Sequence, residues 1–138
     1  AGWKSSNAPA LEDLLQLPAL REKKLRVYKT HFFAHISSLI MGREKMDVPF
    51  TAPSFEKFIH WNKHAPTIQT HQVLDEIAAR LAVVTLSGFD AFCSEDRQKC
   101  TLFGQGGTPH LIDESHLSVE GMERFEVWLS DALLQPAP

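Results

Sequence analysis

A length of 138 residues is enough for one folded domain, and 43% hydrophobic with 22% charged residues is ordinary for a globular core. The net charge is −3 with acidic and basic residues intermixed, which excludes the basic stripe of a nucleic-acid-binding surface. The chain has no run of about eighteen apolar residues, so no membrane span is predicted, and its first residues lack the pattern of a signal peptide.

The first predicted elements are a helix and a strand. Asn7 offers a capping side chain and Pro9 suits a first helical turn. A helix is therefore expected over residues 11–24, with Pro18 kinking it or forcing it to restart. Residues 25–28, Leu-Arg-Val-Tyr, then form a short strand. A helix followed by a strand is one step of an α/β fold.

The middle of the chain is predicted to be helical. Residues 30–41 carry apolar side chains at helical spacing, and Gly42 is a plausible stop. Residues 42–66 match no strand pattern and are predicted to form a helical excursion over the surface or the site. Five aromatic residues are expected in the core, or else in a wall facing an acyl group or a sugar: Phe32, Phe33, Phe55, Phe58 and Trp61.

The second half of the chain alternates again between helix and strand. Residues 67–82 are predicted to form a helix, and residues 82–86 a β-branched strand buried on both faces. Residues 104–109 are glycine-rich but lack the P-loop pattern, so we expect a turn. A final helix is predicted over residues 119–134, and residues 135–138 form a tail. The final helix is expected to bury Val119, Met122, Phe125, Trp128, Leu129 and Leu133.

This alternation of elements predicts the fold class. Helices and strands in this order indicate an α/β fold with a doubly wound parallel sheet. Only three strand positions are visible, counting a stub at residues 1–3. A three-strand sheet of this kind leaves an unpaired edge that is apolar on both faces. We therefore expect that sequence preceding residue 1 completes the sheet.

Two pairs of histidines have a spacing that metal ligands can have. His31 and His35, like His60 and His64, are four residues apart, as in zinc-binding helices. Neither pair has the His-Glu-x-x-His pattern, so we expect surface or half-buried side chains. His71 is expected to face solvent. No metal and no cofactor is predicted.

An aspartate and a histidine near the end of the chain are the strongest candidates for chemistry. Asp113 precedes His116 by three residues, so one short turn can hold both side chains on the same side. The carboxylate can then orient the imidazole and stabilise its charged form. The alternative is a polar loop ahead of a helix, with Ser118 as N-cap and Glu120 favoured by the helix dipole. His110 competes as the partner of Asp113.

The two cysteines, Cys93 and Cys100, flank a polar loop. Closing it as a disulfide ring contributes about 2.5 kcal/mol in the chain-entropy treatment. Two unrelated thiols are an alternative. Half of a metal site is another, although a zinc pair is usually two to four residues apart.

The sequence resembles a known family. Asp-x-x-His-Leu-Ser-x-x-Gly, at residues 113–121, resembles the last motif block of the SGNH hydrolase superfamily. The resemblance is closest to the SGNH domains fused to multi-pass membrane O-acyltransferases that modify bacterial surface polysaccharides. Those domains carry a cysteine pair upstream, after a short hydrophobic strand, as residues 81–86 and the two cysteines do here. The family's first block, a Gly-Asp-Ser turn with the nucleophilic serine, is absent from these residues.

The resemblance implies an architecture and a location. Residues 1–138 are expected to be the carboxyl-terminal part of a single SGNH domain, an incomplete three-layer αβα fold of flavodoxin-like type without its first strands and nucleophile block. The family pattern implies a disulfide between Cys93 and Cys100. Disulfides persist in oxidising compartments. The expected location is therefore periplasmic or extracytoplasmic, tethered to the inner membrane as part of a longer protein.

The resemblance also implies an activity. The complete enzyme is expected to transfer an acyl group, most often acetyl, to or from a carbohydrate hydroxyl by a Ser-His-Asp mechanism. His116 is implied as the base and Asp113 as its orienting residue, so the chain alone, which lacks the serine, is predicted to be inactive. The implied partners are a carbohydrate acceptor, an acyl donor, the missing half of the domain and a membrane acyltransferase domain, with no nucleic acid. The alternatives are a carbohydrate esterase and a non-catalytic SGNH-like binding module.

Overall fold

The computed structural model describes residues 7–21, 23–33, 36–37, 40, 64–95, 100–105 and 107–135. Its elements, in chain order, are α1 (Ala8–Leu15), α2 (Pro18–Arg21), β1 (Arg26–Lys29), α3 (Ala65–Leu81), β2 (Val84–Ser87), a 3-10 helix (Gly88–Ala91) and α4 (Val119–Leu134).

The described residues contain one parallel pair of strands. Strand β1 pairs with β2 in parallel from Arg26 opposite Val84 to Lys29 opposite Ser87. Helix α3 lies between the strands in sequence and packs against both of them. Parallel strands need such a crossover connection. The chain is therefore mixed α/β with a parallel sheet, as predicted, while the predicted stub at residues 1–3 lies outside the described residues.

The early helices differ from the prediction in detail. The helix expected over residues 11–24 is two helices, because the chain breaks after α1 and restarts at Pro18. The side chain of Asn7 makes no capping hydrogen bond, so that predicted cap is wrong. Strand β1 begins and ends one residue later than predicted. Its Arg26 donates to the main-chain carbonyl of Gln135 at 2.9 Å, which ties the sheet to the end of α4.

The helix predicted over residues 30–41 is wrong at its beginning. Residues 30–33 are not helical, and among the described residues helix is found only at Ile36–Ser37 and at Ile40. The amide of Phe33 donates to the carbonyl of Glu114 at 2.8 Å and not to a carbonyl within a helix. This long-range bond replaces a local helical one.

The excursion predicted over residues 42–66 lies outside the described residues up to residue 63, together with Phe55, Phe58 and Trp61. Its last residues already belong to α3, which starts two residues before the predicted helix. That helix ends at Ala82 in a left-handed conformation with φ 53°. The amide of Val83 then donates back to Ala78 at 2.9 Å and closes the helix end.

The hydrophobic core lies between the 3-10 helix, the loop after the cysteines and α4. Its buried members are Phe33, Ile36, Ala91, Phe92, Leu102 and Leu111. Cys93 and Cys100 pack against this core and form a disulfide, as expected. Strand β2 was predicted to be buried on both faces, which is wrong, because Val84, Thr85 and Leu86 are only half-buried. Among the described residues, β1 is the one strand that pairs with it.

Helix α4 has the predicted bounds but not the predicted buried face. Phe125, Trp128 and Leu129 are half-buried, whereas Val119, Met122 and Leu133 are 80%, 56% and 53% exposed. The helix contacts the core through the side that carries Gly121, Phe125 and Trp128, so the other three point outward. Of the tail at residues 135–138, only Gln135 is described, directly after the helix. In the described part of the chain, no helix has the length and apolarity needed to cross a membrane.

Candidate active site

A narrow loop positions Asp113 and His116. Leu111 and Leu117 form an antiparallel bridge, and the amide of Ile112 donates to the carbonyl of His116 at 2.8 Å. Leu111 and Ile112 thus form one side of this small antiparallel ladder and are not part of the parallel sheet. The loop leads directly into α4.

The carboxyl end of the loop is fixed by Ser118. Its hydroxyl accepts from the amide of Gly121 at 3.1 Å, which is the predicted N-cap, and donates to the carbonyl of Pro109 at 2.7 Å. Its amide donates to the carbonyl of His110 at 2.9 Å. One serine therefore closes the loop and starts the helix.

Asp113 and His116 are in direct contact. Nδ1 of His116 lies 2.8 Å from Oδ2 and 2.9 Å from Oδ1 of Asp113. Oδ1 also accepts from the amides of Ser115 and His116 at 3.0 and 2.9 Å. This is the forward-bonding turn that aspartate side chains favour, and it makes the backbone present the ring to its own carboxylate.

These hydrogen bonds keep the carboxylate ionised. The amide of Ser115, then the amide and ring of His116, lower the pKa of Asp113 to about 2. Because a carboxylate only accepts hydrogen bonds, Nδ1 of His116 must carry the proton that is shared with it. The neutral ring then has its lone pair on Nε2. That side of the ring faces outward, since the His116 side chain is 77% exposed.

His110 does not compete for Asp113. Its side chain is 5% exposed, and its Nδ1 lies 3.0 Å from the carbonyl of Thr101. The structure thus brings Asp113 together with His116, the histidine favoured from the sequence motif. The catalytic roles of both residues stay predictions.

His31 is a polar residue of the site that sequence reasoning missed. It was expected at the surface or half-buried, which is wrong, because it is 4% exposed. Its Nε2 lies 3.0 Å from the carbonyl of Ser115 and its Nδ1 lies 3.2 Å from the hydroxyl of Tyr28. Burial lowers the pKa of His31. The available signal was its position just after a strand, where polar residues of α/β sheets gather around sites.

Two further bonds connect the segment after β1 to the same turn. The amide of Phe33 donates to the carbonyl of Glu114 at 2.8 Å. The pKa of the Glu114 carboxyl is lowered by its own amide and by a hydrogen bond from Ser37. The turn that carries Asp113 is therefore held from the carboxyl end of β1, the edge where α/β proteins place their sites.

The remaining histidines make local contacts. His71 was expected to face solvent, but it is half-buried and its Nε2 lies 2.8 Å from the carbonyl of Thr30. Nδ1 of His64 lies 2.9 Å from the hydroxyl of Thr67. His35 and His60 lie outside the described residues. Among the residues that are described, no group of three histidine, cysteine or acidic side chains could hold a metal ion.

A shallow depression lies elsewhere, between the end of β2, the cysteine loop and α4. Its lining includes Leu86, Asp90, Trp128 and Asp131, but neither Asp113 nor His116. The exposed ring of His116 is thus presented on the surface of the described residues.

Comparison with known proteins gives no relative for this chain. No protein-family model matches it, and no curated protein or solved structure does either.

Proposed function

We propose that this chain is the carboxyl-terminal part of an SGNH-type domain that transfers an acyl group to or from a carbohydrate hydroxyl. His116 acts as the general base and Asp113 orients it. The nucleophilic serine belongs to polypeptide outside these 138 residues. The 138-residue chain alone is then inactive.

The contact between Asp113 and His116 carries this proposal. Both carboxylate oxygens lie within 2.9 Å of Nδ1, which leaves the opposite ring nitrogen as the basic atom. That atom sits on a ring that is 77% exposed and can be reached by a hydroxyl from another segment. A buried or wrongly oriented imidazole, such as that of His110, could not take a proton from an external group.

The fold around Asp113 and His116 is a second observation in support of the proposed SGNH-type domain. A parallel strand–helix–strand unit places the Asp113 turn beside the carboxyl end of β1. In the proposed complete domain, further strands extend this two-stranded sheet into a three-layer αβα arrangement. The disulfide between Cys93 and Cys100 suits an oxidising compartment, which is compatible with the proposed extracytoplasmic location. The proposed tether to the inner membrane rests on the resemblance alone.

The chemistry proceeds in two balanced steps. Nε2 of His116 takes the proton of the serine hydroxyl as the serine oxygen attacks the acyl carbonyl carbon. The protonated ring, stabilised by the Asp113 carboxylate, returns the proton to the leaving oxygen, and an acyl-serine remains. The acceptor sugar hydroxyl then loses its proton to Nε2 as its oxygen attacks the acyl-serine carbonyl carbon. Nε2 returns that proton to the departing serine oxygen, so the acylated sugar leaves and both the serine hydroxyl and the neutral histidine are regenerated. With water as the acceptor, the same sequence is ester hydrolysis.

The experiment compares two proteins on one acyl donor, p-nitrophenyl acetate. The 138-residue chain is expected to show no turnover above that of buffer. The full-length polypeptide that contains it is expected to release p-nitrophenol, and His116→Ala should lower kcat/KM at least about 10³-fold. Asp113→Asn should lower it roughly 10²- to 10⁴-fold, because the ring loses its orienting carboxylate.

A matched control is His64→Ala. This histidine contacts Thr67 at the start of α3 and not the Asp113 turn, so its loss should leave the rate unchanged. Hydrolysis by the isolated chain that vanishes in His116→Ala would overturn the claim that the serine lies elsewhere. Full activity of the full-length His116→Ala protein would overturn the function itself. Adding the glycan separates transfer, in which acyl-glycan forms, from hydrolysis.

A further inference from the structure

A chain of hydrogen bonds runs through the interior from β1 to the Asp113 turn. The Tyr28 hydroxyl lies 3.2 Å from Nδ1 of His31, and Nε2 of His31 lies 3.0 Å from the carbonyl of Ser115. The ring of His31 is 4% exposed and packs against the rings of Phe33 and Phe92. The acyl chemistry described above gives this buried histidine no role.

The direction of the hydrogen bonds follows from the partners. A carbonyl only accepts, so Nε2 of His31 must donate to Ser115. In the neutral ring Nδ1 then holds a lone pair and accepts from the hydroxyl of Tyr28. Burial favours the neutral form of both side chains, since it lowers the pKa of His31 and raises the pKa of Tyr28 to about 12. Donation therefore runs from Tyr28 through His31 to Ser115.

The chain continues through one peptide group. The carbonyl of Ser115 and the amide N–H of His116 belong to the same peptide, and that N–H donates to Oδ1 of Asp113 at 2.9 Å. A donor on the carbonyl polarises the peptide and makes its N–H a stronger donor, because hydrogen bonds in a chain reinforce one another. The same Oδ1 lies 2.9 Å from the ring nitrogen Nδ1 of His116.

We propose that His31 is a positioning residue for His116. Through the peptide that it polarises, it fixes the Asp113 carboxylate and thereby the plane of the His116 ring. Its catalytic meaning rests on the proposed acyl transfer, while the physical link between the two histidines does not.

Gly88 shows that the packing leaves room for this network. A Cβ atom at this position would lie 2.8 Å from Nδ1 and 3.0 Å from the amide nitrogen of His31, and would also press on the Tyr28 hydroxyl. The first residue of the 3-10 helix therefore has no side chain at the point where Tyr28 and His31 meet. The close approach of β2 to the network depends on that absence.

The test measures the amide proton of His116 by NMR in the labelled 138-residue chain. His31→Leu fills the space but donates nothing, so we expect the resonance to move upfield and its exchange to become about tenfold faster. His31→Gln keeps an N–H donor at about the position of Nε2 and should restore most of both values. The matched control is His71→Leu, which removes a ring that contacts the carbonyl of Thr30 and should change neither value.

The outcomes are distinct. An unchanged His116 amide in a folded His31→Leu protein would overturn the proposal, as would equal effects of the leucine and glutamine variants. If the leucine variant does not fold, Tyr28→Phe decides: it should shift the amide in the same direction by a smaller amount, and no shift would refute the link. None of these readouts involves turnover, so failure of the acyl-transfer function and failure of this proposal are separable.

Discussion

The loop between Pro109 and Ser118 holds two histidines that behave in opposite ways. His110, on the inner part, is 5% exposed and bound to a main-chain carbonyl, whereas the His116 side chain, on the outer turn, is 77% exposed and bound to Asp113. Each lies three residues from Asp113. The carboxylate contacts His116 and not His110 because its Oδ1 accepts hydrogen bonds from amides that follow Asp113 in the chain. Equal spacing therefore does not mean equal contact.

The inner part of the loop, around His110, should be more sensitive to changes in packing than the outer turn that carries His116. The largest loss of stability is expected from a substitution at Gly121, the residue of α4 that packs against His110. A methyl group there would collide with the main-chain carbonyl of His110, which cannot move without opening the loop. We expect Gly121→Ala to lower the free energy of unfolding by about 3 kcal/mol, although alanine is otherwise favoured in a helix. Urea denaturation measures it.

The control for this prediction is Gly104→Ala. The atoms nearest to a methyl group at this position belong to the end of the flexible Glu120 side chain, which can rotate away. Its cost should be well below that of the alanine at position 121. Equal stability of the two variants would show that the inner loop is not rigidly packed against α4.

Removing the disulfide should have the next largest effect. Replacing Cys93 and Cys100 together with alanine should lower the free energy of unfolding by about 2.5 kcal/mol. Both residues pack against the core and not on the outer turn, so the contact between Asp113 and His116 should survive. Denaturation with the His116 resonances followed by NMR checks both parts. Loss of the contact between Asp113 and His116 before global unfolding would show that the outer turn depends on the disulfide, contrary to this prediction.

The two histidines themselves give a direct comparison. His110→Ala removes a buried ring beside Phe92 and its bond to Thr101, so we expect a loss of roughly 2 kcal/mol. His116→Ala removes an exposed ring and should change stability by less than about 0.5 kcal/mol. Thermal or urea unfolding of the pair measures the difference. Similar losses for both would mean that the outer turn is also a structural element.

The smallest expected effect is the acid response of the outer turn. The pKa of Asp113 is lowered to about 2 from its ordinary 3.8, so its stabilisation of the turn is complete above that ordinary value. It is lost as pH falls through about 2. The amide shifts of Ser115 and His116 should follow this transition, and Asp113→Asn should abolish it. A midpoint at the ordinary value would contradict the hydrogen bonds described here.

Local sequence signals predicted the elements of the fold that depend on local interactions. Periodicity with the Ser118 cap gave both bounds of α4, and Pro18 marked the restart of the first helix. The buried face of α4 was not predictable in this way. The helix has apolar residues on two sides. The inward side is set by long-range contacts, those of Gly121 with the His110 main chain and of Phe125 and Trp128 with the core.

The candidate site was predictable only in its local part. Asp113 and His116 are close in sequence, so a turn rule was sufficient to bring them together. His31 is 84 residues from Ser115, and no local pattern encodes that hydrogen bond. The apolar run after β1 indicated a helix, but its first residues are not helical, and the amide of Phe33 is bonded to Glu114 in the turn instead.

The central claim is that Asp113 holds His116 with the proton on Nδ1 and the lone pair on Nε2. The most direct measurement is the ring ¹⁵N shifts of His116 at a pH where the imidazole is neutral, in the native protein and in Asp113→Asn. We predict a protonated Nδ1 in the native protein and a shift toward protonated Nε2 in the variant. A native ring that carries its proton on Nε2 would contradict the account.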